Sequence, residues 1–233
     1  MRQTAIVTGA SSGVGYSICE LLAREGYNVV GLSRTNKNIM NLTEKKKNVE
    51  HYCVDLINYE DTEVIFREIE KKYNDIGLLI NCSAVFEKQP FIKQDIGKIN
   101  LMFDTNIKTY VNTTKLVLEN MLKTNIKGRI INIASVAGKC GIEDQAVYSS
   151  TKHAIAGFSE ALAKELHNTR INITTLYPGG INTALWNSEN PYDGNIENLI
   201  SPEQVAEIVL YVAGLPHKIV MKEMTFFPAS EIH

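Results

Sequence analysis

Short β-branched runs alternate with longer amphipathic segments along the whole chain of 233 residues. Seven such runs are predicted to be strands because they are rich in Val, Ile and Thr and mostly apolar. They lie at residues 4–8, 28–32, 49–54, 78–81, 129–134, 171–177 and 223–227. Strands that alternate with helices favour βαβ units, and mostly apolar strands are typical of a sheet buried on both faces. The sequence therefore predicts a doubly wound α/β fold with a parallel sheet between two layers of helices.

The length and charge of the chain limit the number of domains and the kinds of partner that we expect. Residues 1–233 fit one large domain better than two small ones, since domains commonly hold about 100–200 residues. Lysine and arginine number 24 against 26 aspartates and glutamates, so electrostatics give no reason to expect nucleic acid or an anionic membrane as a partner. No stretch approaches the ~18 apolar residues of a membrane span, and no apolar signal segment precedes the first strand. The four cysteines lack the spacing of metal ligands, so we expect reduced thiols, no metal site and a cytoplasmic protein.

A glycine-rich stretch, TGASSGVG, follows the first predicted strand at residues 8–15 and precedes an amphipathic helix. Glycines let the backbone turn sharply and approach a ligand, and a helix N-terminus offers free N–H groups and partial positive charge to a pyrophosphate. This strand, loop and helix context favours a dinucleotide site over the alternative, a glycine-rich turn without a ligand. The predicted cofactor contacts in this stretch are Gly9, Ser11, Ser12, Gly13, Val14 and Gly15.

The second predicted strand ends in Ser33-Arg34-Thr35, without an acidic residue. A carboxylate at this point accepts the ribose hydroxyls of NAD and repels a 2′-phosphate, whereas an arginine pairs with that phosphate. The sequence therefore favours NADP(H), with Arg34 as the phosphate ligand and Ser33 and Thr35 beside it. The alternative is an arginine on a solvated loop. Asp55 and Leu56, which close the third predicted strand, are expected to contact the adenine.

Tyr148 and Lys152 lie four residues apart at the start of a long helical segment, so they share one helix face. An ammonium beside a phenol favours the phenolate, which lowers the tyrosine pKa from about 10 and makes the side chain an acid/base catalyst. Ser135, at the end of the fifth predicted strand, is expected at the same sheet edge, where its hydroxyl can bind the substrate oxygen. Asn106, in the preceding helical segment, can hold a water that contacts Lys152. These residues predict a proton-transfer site.

Together these motifs resemble the short-chain dehydrogenase/reductase family, with a preference for NADP and the greatest likeness to its small carbonyl and sepiapterin-type reductases. The matching positions follow the family order over essentially the whole chain. They are TGASSGVG at 8–15, Asp55, Asn106, Ser135, Tyr148, Lys152 and PGGINT at 178–183. The resemblance implies a Rossmann-type parallel sheet of seven strands. It also implies reversible hydride transfer between a nicotinamide cofactor and a carbonyl compound or an alcohol.

The resemblance also implies roles for individual residues. Ser135 orients the substrate, and Tyr148 is the general acid/base. Lys152 lowers the tyrosine pKa and binds the nicotinamide ribose together with Tyr148, and Asn106 supports the proton relay. The other cofactor contacts carried over from the family are Asn81, Ser83, Pro178, Gly179, Ile181 and Thr183. The helices around 106–123 and 148–167 form the usual family interface, which predicts a homodimer or homotetramer.

Two segments depart from the family pattern. The family's NNAG motif after the fourth strand reads Asn81-Cys82-Ser83-Ala84 here, which alters a backbone contact beside the adenosine ribose. The C-terminal stretch EMTFFPA at 223–229 lacks the ending that is common in carrier-protein reductases. Two alternative functions stay open: a 3-oxoacyl-carrier-protein reductase, and a sensor that holds NADP without useful catalysis.

An irregular segment at about 183–200 interrupts the alternation of strands and helices and holds the only tryptophan. Long irregular insertions in compact domains are often functional lids, so this segment is expected to be the substrate loop. Regular structure resumes with Ser201 as the N-cap of a helix and Pro202 in its first turn.

The substrate pocket is expected to combine apolar and polar side chains around Ser135 and Tyr148. The further candidates are Val136, Ala137, Cys140, Gln145, Gly180 and Trp186. This mixture favours a small-molecule substrate, a largely uncharged carbonyl compound or its alcohol. Trp186 can instead anchor the loop, and Cys140 is interpreted as a lining residue rather than a nucleophile. His153 follows Lys152 directly and is expected at the surface or an interface, facing away from Tyr148.

Overall fold

The sheet predicted from the alternating pattern is present in the computed structural model, which describes residues 3–36 and 38–231. Within these residues seven strands pair in parallel in the order β3-β2-β1-β4-β5-β6-β7. The strands are β1 Thr4–Thr8, β2 Asn28–Ser33, β3 Val49–Cys53, β4 Ile76–Asn81, β5 Gly128–Ile133, β6 Ile171–Pro178 and β7 Glu223–Phe226. The predicted strands are confirmed, with ends that differ by no more than two residues, as is usual where pairing frays.

Seven α-helices in the described ranges cover the two faces of this sheet. They are α1 Gly13–Arg24, α2 Ile39–Lys45, α3 Tyr59–Lys72, α4 Ile96–Phe103, α5 Thr109–Thr124, α6 Ala146–Glu165 and α7 Pro202–Ala213. A π-helical turn, Asp104–Lys108, joins α4 to α5 and contains Asn106. None of the helices in residues 3–36 and 38–231 is both long and apolar enough to span a membrane.

Successive side chains of the central strand β1 point to opposite layers because strand side chains alternate between faces. Ala5 and Val7 belong to the core cluster that contains α1, α2 and α7 side chains. Ile6, between them, belongs to the cluster on the other face, with Phe66 of α3 and Val117 of α5. All five side chains are at most 2% exposed, so the strands are mostly apolar because both of their faces are buried.

The irregular segment predicted at 183–200 lacks strands and α-helices, apart from one 3₁₀ turn at Ile196–Asn198. A parallel bridge between Ile181 and Ile200 closes its base. The helix start predicted after it is also confirmed. Ser201 and Gln204 form a reciprocal capping box, and Pro202 is the first residue of α7. The segment is therefore a loop held at both of its ends.

Candidate active site

A cavity of about 900 Å³ opens at the carboxyl ends of the parallel strands. Its wall includes Gly9 after β1, Ser33 at the end of β2, Cys82 after β4, Ser135 after β5 and Gly179 after β6. Strands β2 and β3 extend the sheet on one side of β1, and β4 to β7 extend it on the other side, so the strand order reverses between β1 and β4. Open α/β sheets bind ligands at such a switch point. The fold therefore gathers the predicted motifs around one cavity.

The glycine loop forms one end of this cavity. Gly9 and Gly13 have φ angles of 68° and 51°, a conformation that favours glycine. A Cβ on Gly15 would collide with the carbonyl oxygen of Gly9, so this position also requires glycine for close packing. The N-cap Ser12 makes no side-chain capping hydrogen bond, and the first turn of α1 has no acidic residue. The first amides of α1 are therefore available to an anionic group, which fits a dinucleotide pyrophosphate.

The neighbouring end of the cavity is formed by the residues that follow β2 and β3. The Ser33 hydroxyl donates to the Thr35 carbonyl oxygen at 2.7 Å and lies 2.7 Å from His51 Nε2. Arg34 is exposed on the cavity wall, and Asp55 accepts a hydrogen bond from a nearby backbone amide, as in a tight turn. Ser33 thus fixes the turn, and Arg34 projects its charge at the cavity mouth. Leu56 lies on the wall beside Asp55.

Tyr148 and Lys152 also lie on the cavity wall, one turn apart on α6. Lys152 is only 1% exposed, and its Nζ donates to the Ile133 carbonyl oxygen at 3.3 Å. Burial lowers the pKa of Lys152 from 10.5 to about 8, because an apolar surrounding disfavours the ammonium ion. Lys152 Nζ is 5.5 Å from the centre of the Tyr148 ring.

The predicted lowering of the Tyr148 pKa is contradicted by the burial of the ring, whereas stabilisation of the phenolate by Lys152 stays a prediction. Burial raises the pKa of Tyr148 from 10.0 to about 12, and a side-chain hydrogen bond with Ser135 offsets only part of that rise. The phenolate loses hydration when the ring is enclosed, and this outweighs the hydrogen bond with Ser135. Tyr148 is therefore a protonated acid in the protein alone near neutral pH.

The thiol that replaces the second residue of the family motif is close to this pair. Burial raises the pKa of Cys82 to about 12, and the charge of Lys152 acts in the opposite direction. Cys82 is thus a protonated thiol on the cavity wall at neutral pH. The amides of Cys82 and Ser83 both donate to the Thr8 hydroxyl, at 2.9 and 3.2 Å, which ties this segment to β1.

Asn106 does not lie on the cavity wall among the described residues that form it. It is fully buried, and its amide exchanges hydrogen bonds with the backbone of Val85 at 2.8 and 2.9 Å and donates to the Thr151 hydroxyl at 3.1 Å. The Asn106 side chain thus bonds to three protein groups, and its predicted water contact near Lys152 stays a prediction. Asn106 pins the segment after β4 to α6, directly beside Lys152.

Asn81 is likewise absent from the described part of the wall. Its amide donates to Thr114 Oγ1 at 2.9 Å and Asn132 Oδ1 at 2.8 Å, and its oxygen accepts from Thr113 Oγ1 at 2.6 Å. The Asn81 side chain thus forms a buried link between β4, β5 and α5, and the predicted cofactor contact of this residue stays a prediction. Ser83 is on the wall, as predicted.

The remaining predicted contacts do line the cavity, except one. Ala137 is fully buried and does not line the cavity. It lies in a 3₁₀ turn, and its backbone amide donates to the Ser135 hydroxyl. His153 is exposed on α6, as predicted. The other predicted contacts that lie on the cavity wall are Val14, Thr35, Val136, Cys140, Gln145, Pro178, Gly180, Ile181, Thr183 and Trp186.

A row of aromatic rings runs from Tyr148 to the irregular loop. The ring of Phe86 lies 4.9 Å from Tyr148 and 5.0 Å from Trp186, and Trp186 lies 5.2 Å from Tyr192. Trp186 therefore lines the cavity and also anchors the loop, so both interpretations hold together. Phe86 was not expected from the sequence, although its position five residues after β4 places it at the same sheet edge as Ser135.

Two further wall residues, Phe227 and Glu231, come from the C-terminal segment after β7. The Glu231 carboxylate accepts hydrogen bonds from the Gly180 amide at 2.9 Å and from the Tyr192 hydroxyl at 3.0 Å. No motif or spacing in the sequence connects Glu231 with Gly180.

Comparison with known proteins decides the family. A family model described as short chain dehydrogenase matches residues 3–193. The chain belongs to the short-chain dehydrogenase family. This short-chain dehydrogenase is 31% identical to farnesol dehydrogenase of Aedes aegypti, over 98% of its own length and 97% of the relative. The family assignment makes the protein an oxidoreductase of CH–OH and C=O groups.

Solved structures agree with this assignment. The short-chain dehydrogenase superposes on serine dehydrogenase from Escherichia coli with a TM-score of 0.88 and 27% identity, covering 99% of this chain and 100% of the other. The closed form of serine dehydrogenase complexed with NADP⁺ gives a TM-score of 0.90 and 26% identity, covering 99% and 96%. The short-chain dehydrogenase thus shares its whole fold with an NADP⁺-binding relative.

Proposed function

We propose that this protein transfers a hydride between NADP(H) and a carbonyl compound (a ketone, aldehyde or diketone) or the corresponding alcohol. The observation that carries the proposal is that Tyr148, Lys152 and Ser135 border the same cavity as the glycine loop. Proton transfer and dinucleotide binding therefore meet in one space. A relative of the same fold binds NADP⁺, which supports the choice of cofactor.

The cofactor supplies or accepts the hydride, and residues of the chain have to bind the cofactor. The amides at the start of α1 suit its pyrophosphate, since they have no side-chain cap. Arg34 suits a 2′-phosphate, because its guanidinium lies at the cavity mouth after β2 and can form paired hydrogen bonds with phosphate oxygens. Ile181 and Thr183 lie on the wall of the same cavity and suit the nicotinamide carboxamide.

The catalytic residues act on the substrate oxygen. Ser135 positions that oxygen with its hydroxyl, and Tyr148 donates a proton to it during reduction. The pKa of about 12 keeps Tyr148 protonated at neutral pH, which suits this role as an acid. Lys152 stabilises the phenolate that remains, since a buried ammonium acts strongly across 5.5 Å of poorly solvated space. When an alcohol is oxidised, the proton moves in the opposite direction, from the substrate hydroxyl to Tyr148.

The test follows NADPH absorbance with purified protein and a panel of ketones, aldehydes and diketones. Turnover is expected for some members, and Tyr148→Phe is expected to lower it by about 100-fold or more while NADPH affinity changes by less than about threefold. No turnover beyond the Tyr148→Phe background would contradict the proposal. Tight NADPH binding without turnover would indicate a sensor, and turnover confined to an acyl-carrier substrate would indicate a 3-oxoacyl-carrier-protein reductase.

We also propose that the protein is a cytoplasmic homodimer or homotetramer. All four cysteines are free, which suits a reducing compartment. Large apolar side chains are exposed on and before α4, namely Phe91, Ile92, Ile96, Leu101 and Phe103, and α5 adds Val111 and Leu122. Such a surface is typical of an interface between subunits. Light scattering after size-exclusion chromatography tests the assembly, and a monomeric mass at micromolar concentration would contradict it.

A further inference from the structure

The C-terminal segment places a carboxylate inside the proposed active site. Glu231 ends a 3₁₀ turn, Ala229–Glu231, that follows β7 and folds back over the end of β6. Its Oε2 accepts from the Gly180 amide at 2.9 Å, and its Oε1 accepts from the Tyr192 hydroxyl at 3.0 Å. One side chain therefore joins the C-terminus, the strand end and the substrate loop at the cavity wall.

Two hydrogen bonds hold this carboxylate, and two glycines leave room for it against the backbone. A Cβ on Gly180 would lie 2.5 Å from Glu231 Oε1, and a Cβ on Gly179 would lie 2.7 Å from Oε2. Only glycines at these two positions admit the carboxylate so close to the backbone. Each carboxylate oxygen has more than one acceptor site, so Glu231 can receive further hydrogen bonds from a bound molecule.

The charge of Glu231 is not balanced by any described side chain. Both of its donors are neutral, and it forms no ion pair within residues 3–36 and 38–231. Lys88 also reaches this end of the cavity, but it is paired with Asp193. A carboxylate fixed in a partly enclosed cavity attracts a cation and repels another carboxylate more strongly than it would in water.

The other charged side chains of the described cavity wall also favour a cation over an anion near Glu231. The remaining cations are Lys152, which is held at the Ile133 carbonyl, and Arg34, at the far cofactor end. Glu143 and Asp144 add negative charge beyond Ser135. A substrate carboxylate would thus find no free cation among the described residues at the substrate end.

Building on the proposed function, we infer that Glu231 is a specificity-determining residue that selects substrates with a protonated amine, namely amino alcohols and the corresponding amino ketones. An alkylammonium group has a pKa of about 10, as in lysine, so it is charged at neutral pH. This inference replaces the expectation of an uncharged substrate, which came from the residues around Ser135 and took no account of Glu231.

The test compares alcohols that differ only in charge, in two matched series with different spacing. The short series is 1-amino-2-propanol, 2-butanol and 3-hydroxybutanoate, and the long series is 5-amino-2-pentanol, 2-hexanol and 5-hydroxyhexanoate. NADP⁺ reduction gives kcat/KM for each alcohol. The amine is expected to exceed its neutral analogue by about 10- to 100-fold in at least one series, as a charge-assisted hydrogen bond provides, and the acid is expected to be the poorest.

Three variants separate charge from structure. Glu231→Gln keeps the shape of the side chain and is expected to reduce the ratio of amine to neutral kcat/KM to within about threefold of unity, with the neutral alcohol little changed. Tyr192→Phe removes one donor but leaves the charge, so the ratio is expected to persist. Glu207→Gln, on the exposed face of α7, changes net charge equally and is expected to have no effect.

The outcomes distinguish this inference from the proposed function. Equal or better turnover of the neutral alcohol in both series, or an unchanged ratio in Glu231→Gln, overturns the inference and leaves the oxidoreductase function intact. If the whole carbonyl panel and both series fail, the proposed function is wrong. In that case, thermal stabilisation of the native protein by 5-amino-2-pentanol that is lost in Glu231→Gln would still support a cation site at Glu231. If 5-amino-2-pentanol does not stabilise the native protein, the cation site is overturned as well.

Discussion

The side-chain nitrogen of Lys152 lies 5.5 Å from the centre of the Tyr148 ring, one turn away on α6, and is almost completely buried. Its hydrogen bond to the Ile133 carbonyl at 3.3 Å does not neutralise the charge. Burial, with no carboxylate partner in the described part of the chain, lowers the Lys152 pKa and destabilises the folded protein. Such an arrangement is typical of a functional site, where a group is kept at the expense of stability.

Lys152→Met is therefore expected to stabilise the fold and abolish catalysis. Lowering the pKa from 10.5 to about 8 corresponds to about 3 kcal/mol near pH 7, and methionine has a similar volume without the charge. Between these two pKa values the unfolded state binds more protons, so native stability rises with pH there. The gain from Lys152→Met should fade over the same window.

Urea unfolding near pH 7 and near pH 10 measures this difference in the free energy of unfolding. The matched control is Lys164→Met, because Lys164 is exposed and pairs with Glu160 on the surface of α6, where such pairs contribute little. A Lys152→Met variant no more stable than the native protein near pH 7 would show that the ammonium is well solvated.

Arg34→Ala is expected to weaken NADPH binding by about 10- to 100-fold, because a charge-assisted hydrogen bond to phosphate contributes about 1.5–3 kcal/mol. NADH binding should change by less than about threefold, since NADH lacks the 2′-phosphate. Fluorescence titration with both cofactors measures the dissociation constants. Arg67→Ala, which removes an exposed arginine on α3, is the control. Equal loss of NADPH and NADH affinity would place Arg34 outside the phosphate site.

Asn81→Ala is expected to lower the free energy of unfolding by about 2–3 kcal/mol, because it removes the donor to the buried Asn132 and Thr114 oxygens. Urea unfolding provides the measurement, and Asn100→Ala on exposed α4 should change it by less than about 0.5 kcal/mol. A variant as stable as the native protein would mean that the remaining polar groups rearrange to satisfy one another.

Asn190→Ala is expected to loosen the substrate loop. Asn190 is buried, accepts from the Lys88 amide at 2.7 Å and donates to the Phe86 carbonyl at 3.4 Å. Because Trp186 is the only tryptophan, its emission should shift to the red as the ring becomes more exposed. We expect kcat/KM to fall severalfold, with NADPH affinity retained. Ser188→Ala, at an exposed loop position, is the control, and identical emission from both variants would contradict the anchoring role.

Local patterns in the sequence predicted much of the site because each pattern is completed within a few residues. The glycine loop adjoins its strand and helix, and Tyr148 and Lys152 are one helical turn apart. Hydrogen-bond partners that lie far along the chain could not be predicted. Asn81, predicted as a cofactor contact, and Asn106, predicted to hold a water, both bond to groups more than twenty residues away.

The sequence by itself determined the order of strands and helices, the glycine loop and the residues that meet at the sheet edge, since these follow from periodicity and from the direction of parallel strands. The tertiary structure alone decided the protonation of Tyr148, because burial depends on every element packed around the ring. It also decided the charge at the substrate end, because only the folded chain brings Glu231 to Gly180, 51 positions away in the sequence.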